Sequence, residues 1–204
     1  ASTHEALEIK KISIDKRIKV FVAFDMRFIS KLQYVKRNIK NLIPEIKLVK
    51  IYCGQYLPEW RPESDYRKSY SSFPDKGGGV DLDLTHEIDY MIWLFGSPQK
   101  IEYTKIDKIS SLEISSPDYF KGIYKYNNFI VDVELDYIRK LDRKLIILGE
   151  NKVLVDLDFI ESNLIFCNEK VELMTTDIQN SLSSELNEFL NEDNPRNLCT
   201  LDEG

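Results

Sequence analysis

Apolar and polar residues follow two rhythms along this chain, and the change from one to the other organises it. Over residues 30–43, SKLQYVKRNIKNLI, the positions Leu32, Val35, Ile39, Leu42 and Ile43 recur at helical spacing, with Ser30 as a cap and Pro44 beyond the end. The stretch 45–56, EIKLVKIYCGQY, is rich in β-branched and aromatic residues and predicts a strand. From Lys100 onward, short runs separated by turn signals succeed one another: IEYTKIDKI, YFKGIYKY, FIVDVELDYI, RKLIILG, KVLVDLDF, NLIFC and KVELM. Within them Val131, Val133, Leu135 and Tyr137 alternate with Asp132, Glu134 and Asp136, the period-two mark of a strand with one buried and one wet face. Runs joined by short turns such as Asn127-Asn128 predict an antiparallel meander. A helix, HEALEIKKISI, opens the chain ahead of a short strand from Lys19 to Phe24. A last helix, Asp177 to Asn191, carries Leu182, Leu186, Phe189 and Leu190 on one side.

The fold class that follows is α+β, with a large, mainly antiparallel open sheet and helices packed on one of its faces. If the opposite face is apolar it needs its own cover, and a second copy of the same sheet supplies one. The 204 residues, 43% of them hydrophobic, are enough for a substantial core. The 34 acidic and 28 basic residues give a net charge of −6 with the lysines dispersed, which argues against a nucleic-acid partner. No apolar run approaches the roughly 20 residues that cross a bilayer, and ASTHEALEIKK lacks a signal-peptide core, so a soluble cytoplasmic protein is expected. Cys53, Cys167 and Cys199 have no metal-site spacing and suit reduced thiols, and no metal is expected. Because Ala1 is not a methionine and a lone helix and strand cannot bury themselves, further chain upstream is expected.

Candidate chemistry concentrates in residues 75–98, DKGGGVDLDLTHEIDYMIWLFGSP. Three glycines allow a substrate, cofactor or neighbouring segment to lie against the backbone just before a helix. In one continuous helix Asp83, His86 and Asp89 would share a face, and Gly96 with Pro98 would stop it. A histidine flanked by carboxylates one turn away is a credible proton acceptor, although first-turn aspartates are also favoured by the helix dipole alone. Glu87 would point about 100° away from His86, which argues against a metal site built from Asp83, His86 and Glu87. Upstream, the loop YLPEWRPESDYRKSY (56–70) carries Tyr56, Trp60, Arg61, Tyr66 and Arg67, stacking planes and bidentate donors suited to a sugar ring, carboxylate or phosphate. The same aromatics could pack the loop on the sheet, and the arginines could pair with Glu59, Glu63 or Asp65. Lys76 is a further candidate substrate contact beside the glycines.

GGGVDLDLTHEIDYMIWLFGSP resembles the hallmark segment of the Gfo/Idh/MocA oxidoreductases, in which GGG, an Asp and HxxD open a helix ending in WLxG. VFVAFDMRF (20–28), RKLIILGENKVLVDLD (143–158) and SELNEFLNEDNP (184–195) are similar to further motifs of that family in the same order, and the 56–70 loop resembles that of members near nucleotide-sugar pathways. The resemblance implies a two-domain NAD(P)-dependent enzyme with a Rossmann domain and a C-terminal α/β domain that binds substrate and forms dimers. Residues 1–24 would be the last helix and strand of the nucleotide-binding domain, and 25–204 the substrate-binding and dimerisation domain. The implied roles fall on His86 as general base and Asp83 as its orienting partner, with Asp81 a possible substitute for Asp83. Arg27 would lie at the domain junction, touching cofactor or substrate, or holding a salt bridge. The substrate would be a sugar or nucleotide sugar, and the assembly a homodimer or higher homo-oligomer through the sheet face. Neither an EKP nor a GxGxxG motif occurs, so the chain is expected to be a fragment that neither binds NAD(P) nor turns over substrate alone. The alternative is a noncatalytic sheet module for oligomerisation or ligand recognition.

Overall fold

The computed structural model describes residues 3–173, 178–191 and 195–203. In chain order the elements are α1 (Thr3–Lys16), β1 (Phe21–Val22), α2 (Ser30–Asn38), β2 (Leu48–Gly54), α3 (Leu57–Trp60), α4 (Val80–Asp83), α5 (His86–Phe95), β3 (Lys100–Asp107), β4 (Tyr119–Lys125), β5 (Ile130–Asp136), β6 (Asp142–Gly149), β7 (Lys152–Asp158), β8 (Asn163–Phe166), β9 (Glu169–Lys170), α6 (Ile178–Asn191) and β10 (Cys199–Thr200). They divide into two compact units, one within Ala1–Ile29 and Thr176–Gly204, the other Ser30–Thr175.

The larger unit is an eight-stranded sheet in the order β3-β4-β5-β2-β6-β7-β8-β9. The meander expected from Lys100 onward is present as two antiparallel runs, β3 to β5 and β6 to β9, but β2 lies between them. That strand pairs parallel to β5 and antiparallel to β6, so one pairing in the sheet is parallel and the rest are antiparallel. The chain from β5 to β6 therefore has to pass the end of β2. Gly54 makes this crossing possible, since a Cβ there would come within 2.6 Å of the Arg139 Cβ.

Alternation sorts the faces as the sequence predicts. Val49, Ile51 and Cys53 of β2, Val131, Val133 and Leu135 of β5, and Leu145 and Ile147 of β6 are all fully buried, forming the core with Leu32 and Val35 of α2 and Tyr90, Met91 and Leu94 of α5. Lys36 of α2 lies 5.2 Å over the Trp93 ring of α5 and binds its backbone oxygen, which joins the two helices on that face. The opposite face carries Lys50, Tyr52, Asp132, Glu134 and Lys121, half-buried apart from the exposed Lys50. Lys121 pairs there with Asp132 (2.5 Å) and Glu134 (3.2 Å), while the register puts Leu48, Ile123, Ile130 and Ile146 on the same face, none of them buried, so this part of the sheet presents both ion pairs and apolar surface.

Several boundaries differ from the sequence expectation. The helix over 30–43 ends at Asn38, and Ile39–Asn41 and Ile43–Glu45 continue as 3-10 turns because Pro44 cannot donate to an α-helical ladder. Of KVELM, among the described residues 170–173, only Lys170 joins a strand, in the two-residue β9. The 56–70 loop contains the one-turn helix α3 and a 3-10 turn at Tyr66–Lys68.

In the smaller unit β1 pairs antiparallel with β10. Asp177, expected to begin the last helix, lies outside the described residues. The apolar side of α6 exists, but it does not face inward: Leu182, Leu186 and Leu190 are 54%, 51% and 72% exposed, while Ser181 and Glu185 are buried. The Ser181 hydroxyl donates to the Asp25 carboxylate at 2.5 Å, and Phe189 meets Phe21 edge to face at 5.9 Å.

Candidate active site

Strands β2 and β5 end side by side because they run parallel, and both continue into the candidate site. Backbone bonds extend their pairing past the strand ends, from the Gln55 N–H to the Asp136 carbonyl (2.9 Å) and from the Leu57 N–H to the Tyr137 carbonyl (3.2 Å). Leu57 is buried and anchors α3, so that Trp60, three residues on, lies against Tyr137 with ring centroids 6.4 Å apart. Tyr137 continues the buried phase of β5 and is fully buried itself. Its hydroxyl donates to the Asp83 carboxylate at 2.5 Å. Burial, and then the adjacent carboxylate, hold the Tyr137 phenol far above its ordinary pKa, so it keeps its proton and stays a hydrogen-bond donor to Asp83. The sequence marked Tyr137 only as a core residue; its hydroxyl-bearing tip, at the end of a buried strand beside the glycine segment, was the available signal.

The helix expected to carry Asp83 and His86 on one face is in fact two. In α4 the Asp83 and Leu84 N–H groups bond to the carbonyls of Gly79 and Val80; in α5 the ladder restarts with Ile88 and Asp89 bonding to Thr85. Leu84, at φ −107° and ψ 31°, breaks the run, and its side chain is buried. Asp83 thus ends one helix and His86 opens the next. His86 is half-buried with Nδ1 shielded from solvent. Glu87 beside it is fully buried and forms an ion pair with Arg143 of β6, Nε to Oε1 at 2.9 Å; Arg143 also donates to Cys53 Sγ at 3.2 Å. Burial pushes the Cys53 thiol up to about 12 and lifts the Tyr90 phenol well above its usual range, with Glu87 adding to both.

Of the three glycines only Gly78 is closed in by the protein's own backbone, while Gly77 faces open space. A Cβ on Gly78 would stand 2.1 Å from the Tyr70 carbonyl oxygen, and Gly77 and Gly79 take φ of +79° and +145°. Residues 70–72 are fixed in turn by Ser116, whose hydroxyl donates to the Ser71 carbonyl at 2.6 Å, and by the Ser115 and Ser116 N–H groups on Ser72. The Val80 N–H bonds to the Pro117 carbonyl at 3.1 Å. Of the possibilities the sequence left open, a neighbouring segment lies against Gly78.

The loop arginines divide. Arg67 is engaged within the protein, Nε to Asp65 Oδ1 at 2.8 Å and Nη2 to Oδ2 at 3.1 Å, with Glu113 at 3.5 Å. The hydrogen bond from Arg67 holds the Asp65 carboxyl below its ordinary range. Arg61 instead lies between two rings, 5.2 Å from Trp60 and 5.4 Å from Tyr70, is exposed, and forms no ion pair among the described residues. Trp60, Arg61 and Tyr66 line one shallow hollow with Leu57, Ser64 and Ser69. The half-buried Tyr56 immediately precedes α3, Lys76 lies 4.1 Å over Phe73, and Arg27 belongs to the smaller unit, where it pairs with Glu203 at 3.4 Å. No cluster able to hold a metal occurs among the described residues, and none of their helices is long and apolar enough to cross a membrane.

Residues 36–190 match the family model of the oxidoreductase family's C-terminal alpha/beta domain. An uncharacterized oxidoreductase of Synechocystis sp. is 27% identical over 99 residues, covering 48% of this chain and 26% of that protein. Among solved structures, the UDP-N-acetylglucosamine 3-dehydrogenase GnnA from Acidithiobacillus ferrooxidans superposes with a TM-score of 0.72 at 16% identity, over 99% of this chain and 62% of that one. The WlbA dehydrogenase from Bordetella pertussis, solved with NADH and UDP-GlcNAcA, gives 0.66 at 15% identity, over 96% of this chain and 60% of that one. The chain thus spans 26% of the curated relative and 62% and 60% of these two structures.

Proposed function

This chain belongs to the Gfo/Idh/MocA oxidoreductase family through its C-terminal α/β domain, and from that premise we propose that it is the substrate-binding part of an NAD(P)-dependent dehydrogenase acting on a hydroxyl or keto carbon of a sugar or nucleotide sugar. The observation that carries the reading is the Trp60, Tyr137, Asp83 sequence of contacts, which links the aromatic loop to the hallmark segment at the ends of two parallel strands. Ligands of open α/β sheets bind at such carboxyl ends. Structural likeness to enzymes solved with NADH and with a UDP-sugar supports the cofactor and substrate class.

In this reading His86 takes the proton from the substrate hydroxyl, and Asp83, held by Tyr137, fixes the position of that hydroxyl or of the imidazole. Trp60 and Tyr66 offer planes for a sugar ring or base, and Arg61 offers a guanidinium to an anionic substituent. No GxGxxG turn occurs in the sequence, so in this reading the dinucleotide phosphates are held by polypeptide outside these 204 residues. Homo-oligomerisation through the sheet face is part of the proposal; its contacts would combine the ion pairs with the apolar residues of that face, Ile123, Ile130 and Ile146.

The test is His86→Ala in the full-length protein, assayed with NAD or NADP and a panel of sugars and UDP-sugars. Lost turnover with native folding and unchanged oligomer size supports the catalytic reading. Unchanged turnover removes His86 from the mechanism and leaves a noncatalytic recognition or assembly module.

A further inference from the structure

The buried stripe of β6 is apolar at Ile147 and Leu145 and then becomes charged at Arg143, the register partner of Cys53. A cation in that phase requires a counter-ion, and it comes from α5: Glu87 is fully buried, and the Arg143 side chain is only 13% exposed. Glu87 belongs to the inner stripe of the helix with Tyr90, Met91 and Leu94, all buried. Tyr90 rests against Phe159 at 5.7 Å, so ring packing engages the middle of the helix, while the ion pair engages its first turn, beside His86.

Replacing such a pair by apolar residues of similar volume is often neutral or stabilising, whereas removing one partner is strongly destabilising. Stability alone therefore does not account for a charge pair here; fixing one geometry does. The guanidinium is planar and directional, and it meets the helix in its first turn. Residue 86 is about 100° around from residue 87, so rotation of α5 about its axis moves His86 directly.

We propose that the buried Glu87 and Arg143 ion pair is a positioning device that sets the rotation of α5 and hence the placement of His86. The pair acts through the helix and touches no substrate. The inference rests on His86 being the working group of the proposed site, but the geometric part can be tested without turnover.

The 204-residue chain contains two histidines, His4 and His86, and His4 lies on exposed α1, so imidazole carbon–proton correlation spectra give one reporter and one internal reference. In the double variant Glu87→Met with Arg143→Met, the His86 signal is expected to shift and broaden or split while that of His4 stays in place and the chain remains folded. Arg143→Lys keeps the charge and loses the planar fork; it should move the His86 signal in the same way, and serves alone if the double variant does not fold. An unmoved His86 signal in either folded variant overturns the proposal. In the full-length enzyme, Arg143→Lys is expected to lower kcat by up to about 100-fold with KM little changed, the cost of misplacing a reacting group by about 1 Å. If His86→Ala retains turnover while the spectral displacement is seen, the catalytic reading fails and the positioning role stands.

Discussion

The Tyr137 hydroxyl and the Asp83 carboxylate, 2.5 Å apart, tie the end of a core strand to the end of the short helix behind the glycines. Each residue alone has an ordinary explanation, as a core aromatic and as a helix-end acid. Together they bring a carboxylate to the loop that carries Trp60.

Tyr137→Phe keeps the ring and its contact with Trp60 and removes the donor. Loss of a hydrogen bond to a charged group is expected to cost about 1.5–3 kcal/mol in urea unfolding. In the full-length enzyme kcat should fall more than KM rises, because Asp83 is released from its position. A variant with unchanged kcat would separate Asp83 from the chemistry.

The two loop arginines should behave differently in substrate binding. Arg61→Gln is expected to raise KM for an anionic substrate by about 10-fold or more, as a charge-assisted contact is lost. Arg67→Gln should leave KM nearly unchanged, because that guanidinium is occupied by Asp65 and Glu113. Equal effects from both would mean that the ion pairs around Arg67 open when substrate binds.

Gly78→Ala places a methyl group 2.1 Å from the Tyr70 carbonyl oxygen, with the Ser71 backbone also close. Neither neighbour is a flexible side-chain tip, so the loop has to move. Destabilisation of about 1–3 kcal/mol is expected by thermal or urea unfolding, together with loss of whatever activity the full-length protein has.

Stability should fall on the alkaline side. Tyr52, Tyr90, Tyr119, Tyr124, Tyr126 and Tyr137 are all held above the ordinary phenol range, with burial the leading cause in each, and Cys53 is pushed up to about 12. The unfolded chain releases these protons from about pH 8.5 for the thiol and about pH 10 for the phenols. The folded chain keeps them. The folded state therefore binds more protons, its stability is complete below about pH 8.5, and it declines as pH rises towards the folded values. Urea midpoints measured from pH 7 to 11 should show this decline, and Cys53→Ala should delay its onset. Constant midpoints over that range would contradict the assignment.

The isolated 204-residue chain is expected to give no heat of binding when titrated with NADH, since its sequence holds no GxGxxG turn to cradle the pyrophosphate. Tight binding would mean that a cradle forms from some other part of the chain.

Periodicity made most of the sheet legible. The phase of Val131 to Tyr137 and the run RKLIILG correspond directly to β5 and β6, because side-chain alternation is a local property. The place of β2 was not legible: its pairing with strands that begin some 80 and 90 residues later depends on long-range contacts that no window of sequence contains. The split between α4 and α5 was hidden for a similar reason, since the preference of Leu84 for the core overrides a locally helical pattern. The arginines show the limit most clearly. Arg61 and Arg67 are chemically equal in the sequence and separate only when Asp65 and Glu113 are seen around one of them and aromatic rings around the other.

The central position of β2 also bears on how the sheet comes together. Each antiparallel half closes through neighbouring hairpins and has a local route to structure, but β2 gains its first partner only once β5 has been synthesised and its second only with β6. Until β5 has emerged, Val49 and Ile51, completely enclosed in the finished molecule, stand on a strand with no neighbour on either edge. The strand that unites the sheet is consequently the point at which a nascent chain is most open to chaperone capture or to pairing with the wrong molecule.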